Sequence, residues 1–217
     1  DFSSDIDISN ISGATTVNVT SATAGNSAAT VKGVKTASGN NIVADSAIKT
    51  LVLEGSTATT DAAKLTTKSS TLALTTSTNA IESLTIATDG VASKVTYTPT
   101  AAATTINTAG NAALTLIEGS AGGFANTTIN NGLTGASLTV KSMATSAADY
   151  SKVASTAVLE IGAALNATAT LNQAQSAVKV SGTLGASAIL AAKTGAANTI
   201  ALQGAADQAN DVELSGY

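Results

Sequence analysis

The sequence predicts an all-β protein, a parallel β-helix or β-solenoid forming one elongated domain over residues 1–217. Three observations carry this reading. Short runs alternating aliphatic and polar residues extend along the whole chain, apolar positions recur about eleven residues apart in places, and aromatic side chains make up only 2% of the chain.

The alternating runs are, in order, Ile6–Ile8, Val17–Val19, Leu51–Leu53, Leu72–Leu74, Leu84–Ile86, Val95–Tyr97, Leu114–Leu116, Leu138–Val140, Val178–Val180, Ile200–Leu202 and Val212–Leu214. Side chains alternate between the two faces of a strand, so each run buries its aliphatic pair and turns a Thr, Asn, Lys, Asp, Glu, Val or Ala outward. Gly55, Gly182, Gly204 and Gly216 each follow such a run at the same offset, as expected where a strand bends away. The eleven-residue spacing is clearest through Leu84, Val95 and Ile106, and again through Val178, Ile189 and Ile200. Coils of about 20 to 25 residues, stacked about 4.8 Å apart, would number on the order of ten.

Two Ala-rich stretches interrupt the pattern. Residues 146–157 are a candidate for a short helical insert, because Ala is the best helix former. Ala186–Ala192 fits better as a coil strand, since Ile189 keeps step with Val178. The competing architecture is two β-sandwich domains of about 100 residues each. The shortage of aromatics argues for the thinner core of a solenoid.

Composition narrows the function classes. The chain has no Cys, His, Trp or Arg, ten Lys and a formal net charge of −4. Thiolate and imidazole chemistry are absent, as are the usual zinc and copper ligand sets. Scattered lysines on an acidic chain with few aromatics argue against a nucleic-acid partner. Charged residues are only 11%, which favours a location outside the cell, and no apolar run is long enough to span a membrane as a helix. The start at Asp1 reads as a piece of a longer polypeptide.

The stretches Asn79–Ile86, Thr104–Thr108, Ala113–Leu116 and Ile11–Thr20 resemble the Ala/Thr/Ser/Gly-rich region of Gram-negative surface-layer proteins of the type I secreted, RTX-related class. The resemblance implies a β-rich module that tiles with copies of itself over the cell, and calcium as a companion ion. The Gly-Gly-x-Gly-x-Asp signal of that family is missing, because Gly122–Phe124 runs into Ala125 and Asn126.

Carboxylates gather at both ends of the chain: Asp1, Asp5 and Asp7, then Asp207, Asp211 and Glu213. Several such oxygens suit a hard cation, so these six are the candidate calcium ligands. The plainer reading is solvated charge, with Asp5 and Asp7 on the outer face of the strand that holds Ile6 and Ile8. Catalysis is not expected, because a carbohydrate cleft normally offers aromatic platforms and Arg. Thr96–Thr98 and Thr168–Thr170 raise an ice-binding reading, but Thr-x-Thr elements do not recur at a constant interval. The Asn-x-Ser/Thr triplets at Asn10, Asn18, Asn126 and Asn166 arise freely in so Ser- and Thr-rich a chain.

The expectation is therefore a non-enzymatic surface-layer segment whose partners are copies of itself, with the stalk or passenger domain of a secreted adhesin as the alternative. Cell-surface polysaccharide is a candidate partner through regions outside this segment.

Overall fold

The structure is a computed structural model describing residues 3–7, 16–20, 27–34, 41–55, 61–77, 81–99, 105–175, 177–192, 201–204 and 213–215. These residues form twenty β-strands and no helix. A ten-stranded sheet contains β1 (Ser3–Asp7), β3 (Ser27–Val34), β5 (Ile48–Gly55), β7 (Thr71–Ser77), β9 (Ser93–Pro99), β11 (Leu114–Glu118), β13 (Leu138–Ser142), β15 (Val158–Ile161), β17 (Ala177–Val180) and β19 (Ala201–Gly204), in that spatial order. A six-stranded sheet holds β2 (Thr16–Val19), β4 (Asn41–Ala44), β6 (Asp61–Thr67), β8 (Ile81–Thr88), β10 (Thr105–Gly110) and β12 (Thr128–Asn130). A four-stranded sheet continues with β14 (Ala148–Tyr150), β16 (Thr168–Leu171), β18 (Ile189–Ala192) and β20 (Glu213–Ser215).

Every pairing between these strands is parallel, so the chain is a β-solenoid. The sandwich alternative would have required antiparallel sheets. Successive strands alternate between the long sheet and one of the shorter ones. Register partners in the long sheet lie 19 to 25 residues apart, with Ser3 beside Ala28, Leu51 beside Leu74 and Val140 beside Leu159. The eleven-residue spacing is half a coil: Leu84 lies in β8, Val95 in β9 across the core, and Ile106 in β10 directly beside Leu84. Ile200, the last member of the second series, lies outside the described residues.

Like stacks on like inside. One column of the long sheet runs Leu72, Val95, Leu116, Val140, Leu159, Val178, and a facing column runs Ala63, Leu84, Ile106, Ile129. All are buried in one continuous core, and each large aliphatic contributes about 1.5–3 kcal/mol. The alternating runs of the sequence coincide with strands wherever they are described. Strands such as β6 escape the pattern because only one inward position holds a large aliphatic, here Leu65 between the buried Ala63 and Thr67.

The candidate helix at 146–157 is instead part of the stack. Ala148 pairs with Ala169 and Tyr150 with Leu171, and both Ala148 and Tyr150 point inward. A few tenths of a kcal/mol of helix propensity per residue cannot compete with a backbone ladder and a buried tyrosine. Ala186–Ala192 ends in β18, the coil strand that was expected.

Buried hydroxyls carry the corners from one coil to the next. Thr88 Oγ1 donates to the Ala112 carbonyl at 2.9 Å and accepts from the Ala112 amide at 3.2 Å, and Thr108 does the same with Asn130 and Gly132 at 3.1 and 3.2 Å. Ser93 Oγ reaches back to the Ser69 carbonyl at 2.7 Å. The glycines expected at strand ends act differently from simple turn formers. Gly55 and Gly204 close β5 and β19, Gly216 lies outside the described residues, and Gly182 does not adopt the left-handed backbone. Gly182 is needed for space, because a Cβ there would sit 2.2 Å from the Ala163 carbonyl oxygen of the coil below.

Gly110 combines both demands: its φ is +107° and a Cβ would lie 2.2 Å from the Thr88 carbonyl oxygen. Gly90, with φ +69°, faces open space. Gly110→Ala is expected to lower the free energy of urea unfolding by about 2–4 kcal/mol, and Gly90→Ala by only about 1 kcal/mol. Equal effects would show that backbone strain alone matters.

Candidate functional site

Alternation along β11 places Leu114 and Leu116 inward and, by the same parity, Glu118, which is 2% exposed. A buried carboxylate must be paired or hydrogen-bonded, and this one is fully engaged. Its Oε1 accepts from the Phe124 amide at 2.9 Å and the Tyr150 hydroxyl at 3.0 Å. Oε2 accepts from the Met143 amide at 2.6 Å and the Gly122 amide at 3.3 Å. Tyr150 also bonds Ser142 Oγ at 2.6 Å, and the Tyr97 ring stacks on Phe124 with centroids 6.2 Å apart. All the aromatic side chains among the described residues gather at this level. Burial first, then the Glu118 charge, push the Tyr150 hydroxyl well above its ordinary pKa, keeping it a neutral donor.

The cluster sits where the six-stranded sheet ends and the four-stranded sheet begins. Asn126, in a left-handed conformation with φ 64°, donates its amide to the Asp149 carbonyl at 2.8 Å, towards β14. Ile129 of β12 continues the older column only as an isolated bridge to Val153, whose carbonyl is then taken by Asn172 Nδ2 at 2.9 Å. Glu118 thus sits at the junction of the two coil types, and the buried aromatics pack at the same level.

A column of paired charges lies on the outer face of the long sheet, and a separate ion pair, Lys68 with Asp89 at 3.3 Å, lies at the corner that follows β6 and β8. Lys141, Glu160 and Lys179 are register neighbours on β13, β15 and β17. Glu160 binds Lys141 Nζ at 2.8 Å and Lys179 Nζ at 3.3 Å, and accepts from Ser181 Oγ at 2.5 Å. Desolvation pushes the Glu160 carboxyl up, but the bonds from Lys141 and Ser181, the Lys141 charge and the Lys179 bond outweigh it, so its pKa lies below the usual range. Nearby, Lys94 is exposed on β9 beside Thr71 and Thr115. Lys49 occupies a bulge in β5, since Ser27 pairs with Ile48 but Ala28 with Thr50. The bulge lets its ammonium reach the Ser46 carbonyl at 2.8 Å and Ser69 Oγ at 3.0 Å at the corner.

Of the six sequence-derived calcium candidates, only the Asp7 side chain is described. Asp1, Asp207 and Asp211 lie outside the described residues, and Asp5 and Glu213 are placed by backbone alone in β1 and β20. Asp7 is exposed in register with Lys32. Nine strand steps separate β1 from β19, about 43 Å at ordinary spacing, so β1, which holds Asp5 and Asp7, lies at the opposite end of the stack from β20, which holds Glu213. Among the described residues no group of three or more metal-ligating side chains occurs. Asn18, Asn126 and Asn166 are exposed, and Asn10 lies outside the described residues.

Sequence reasoning passed over Glu118, Tyr150 and the Lys141–Glu160–Lys179 column. The signals were present: Glu118 continues the inward parity of Leu114 and Leu116, and residues 141, 160 and 179 are spaced by 19 and 19. Only a known coil length turns that spacing into adjacency. The chain matches no protein-family model, no curated protein and no solved structure. The class is therefore defined by the fold itself, a parallel β-solenoid.

Glu118→Gln puts an amide NH₂ against backbone N–H donors and is expected to destabilise by about 2–4 kcal/mol, whereas Tyr150→Phe costs about 1 kcal/mol. Urea unfolding followed by near-ultraviolet circular dichroism reads both, because the aromatics are clustered there. Glu160 behaves as a depressed carboxylate: its contribution is present above the unfolded pKa of about 4.3 and is lost as pH falls through the lower folded value. Glu160→Gln should cost about 1–2 kcal/mol at neutral pH, with the gap to the parent closing as pH falls through the lowered folded pKa. A gap that widened in acid would overturn the assignment.

Proposed function

We propose that this chain is a structural, non-catalytic segment of a secreted bacterial surface-layer protein, covering the cell by association with copies of itself. The observation that supports this best is the unbroken parallel stack, whose outward positions are mostly Thr, Ser, Asn and Ala with sparse charge. Such faces are short in reach and low in side-chain entropy, and a weak contact repeated on every copy accumulates into a stable sheet. The core carboxylate Glu118 is saturated by four donors from the protein itself, which fits a scaffold role. The resemblance of the Ala/Thr/Ser/Gly-rich stretches supports the surface-layer reading and an extracellular location, with calcium as the assembly ion to test.

Negative-stain electron microscopy of the purified parent protein, with calcium and with chelator, is the decisive measurement. Periodic sheets that dissolve in chelator are expected. Isolated rods under both conditions would sink the lattice reading and favour the stalk of a secreted adhesin, which the same elongated stack would also serve.

A further inference from the structure

The outer face of the long sheet carries a row of cations with a regular placement. Lys49, Lys94, Lys141 and Lys179 lie on β5, β9, β13 and β17, every second strand, or about 10 Å per step along the stack. Two shallow depressions, one lined by Lys49, Thr71, Lys94, Thr96 and Ile117 and the next by Lys94, Thr115, Ile117, Thr139, Lys141 and Lys179, share Lys94 and Ile117 and so form one trough. Glu160 lies in the second depression and neutralises one of its two flanking lysines, leaving that trio with one net positive charge. Lys49 is hydrogen-bonded only to neutral oxygens in the described contacts, and Lys94 makes no side-chain hydrogen bond or ion pair among the described residues. Three uncompensated positive charges therefore face outward along about 29 Å of a chain whose net charge is −4.

We propose that this trough binds a linear acidic polysaccharide laid along the stacking direction. Charge spacing selects this class of polyanion. Duplex DNA presents a charge about every 1.7 Å, far denser than the lysine row, whereas a glycan with intermittent carboxylates matches it. The trough has no aromatic platform on which a neutral sugar could stack, so recognition falls to the lysines, with threonine hydroxyls on β7, β9, β11 and β13 available to sugar hydroxyls. This contact is made by the segment itself, not by flanking regions, and it does not depend on lattice formation.

The test is affinity electrophoresis of the full chain through gels containing hyaluronate, which carries a carboxylate on every second sugar, dextran or duplex DNA. Retardation by hyaluronate alone, abolished by high salt, is expected. Lys94→Gln or Lys179→Gln should weaken it about fivefold each, on the basis of about 1 kcal/mol per cation near an anionic surface. Lys64→Gln, the same charge change at an exposed position on the opposite sheet, should leave it unchanged. Absence of retardation, equal retardation by DNA, or an equal loss in Lys64→Gln would overturn the proposal. Sheet formation is scored separately by microscopy, so the two readings fail independently.

Discussion

Hydrogen bonding between successive coils constrains every other feature of this molecule. A parallel strand in the middle of a sheet has its N–H and C=O groups satisfied only if the coils above and below present strands in the same place. Each coil must therefore return to the same position after 19 to 25 residues, although the intervening corners vary in length. Variation is absorbed outside the ladders, by buried hydroxyls of Thr88, Thr108 and Ser93 that bond neighbouring coils, and by glycines where backbones approach too closely for a side chain. The same repetition stacks identical kinds of side chain in columns, which is why a thin aliphatic core suffices.

The departure from that repetition is concentrated at one level. Changing from the six-stranded to the four-stranded sheet leaves amides without a ladder partner. Glu118 takes the amides of Gly122, Phe124 and Met143, and Tyr97, Phe124 and Tyr150 are buried at the same level. A carboxylate is the one side chain with enough acceptor capacity for three backbone donors and a hydroxyl. Its burial is tolerated because those donors replace water.

Charge follows the opposite logic on the outer face. In an in-register parallel stack, side chains of one column lie about 4.8 Å apart, so like charges in adjacent rungs would repel. Alternation of sign in Lys141, Glu160 and Lys179 avoids this, as does that of Asp7, Lys32 and Glu54 on β1, β3 and β5, while Lys49 and Lys94 stand two strands apart. The resulting face is weakly positive, with threonine between the cations.

The sequence by itself determined the all-β class, the solenoid and most strand positions, because period-two alternation and half-coil spacing are local properties of the chain. It misjudged residues 146–157, where Ala content suggested a helix and pairing of Ala148 and Tyr150 with the next coil made a strand. Glu118 was visible only as one more acidic residue, although its parity with Leu116 already pointed it inward. Which coil lies on which, and hence that residues 19 apart touch or that a carboxylate meets three distant amides, was decided only by the tertiary structure. Coil length varies from turn to turn, and register is fixed by the sum of packing and hydrogen bonds over the whole stack, so no local stretch encodes it.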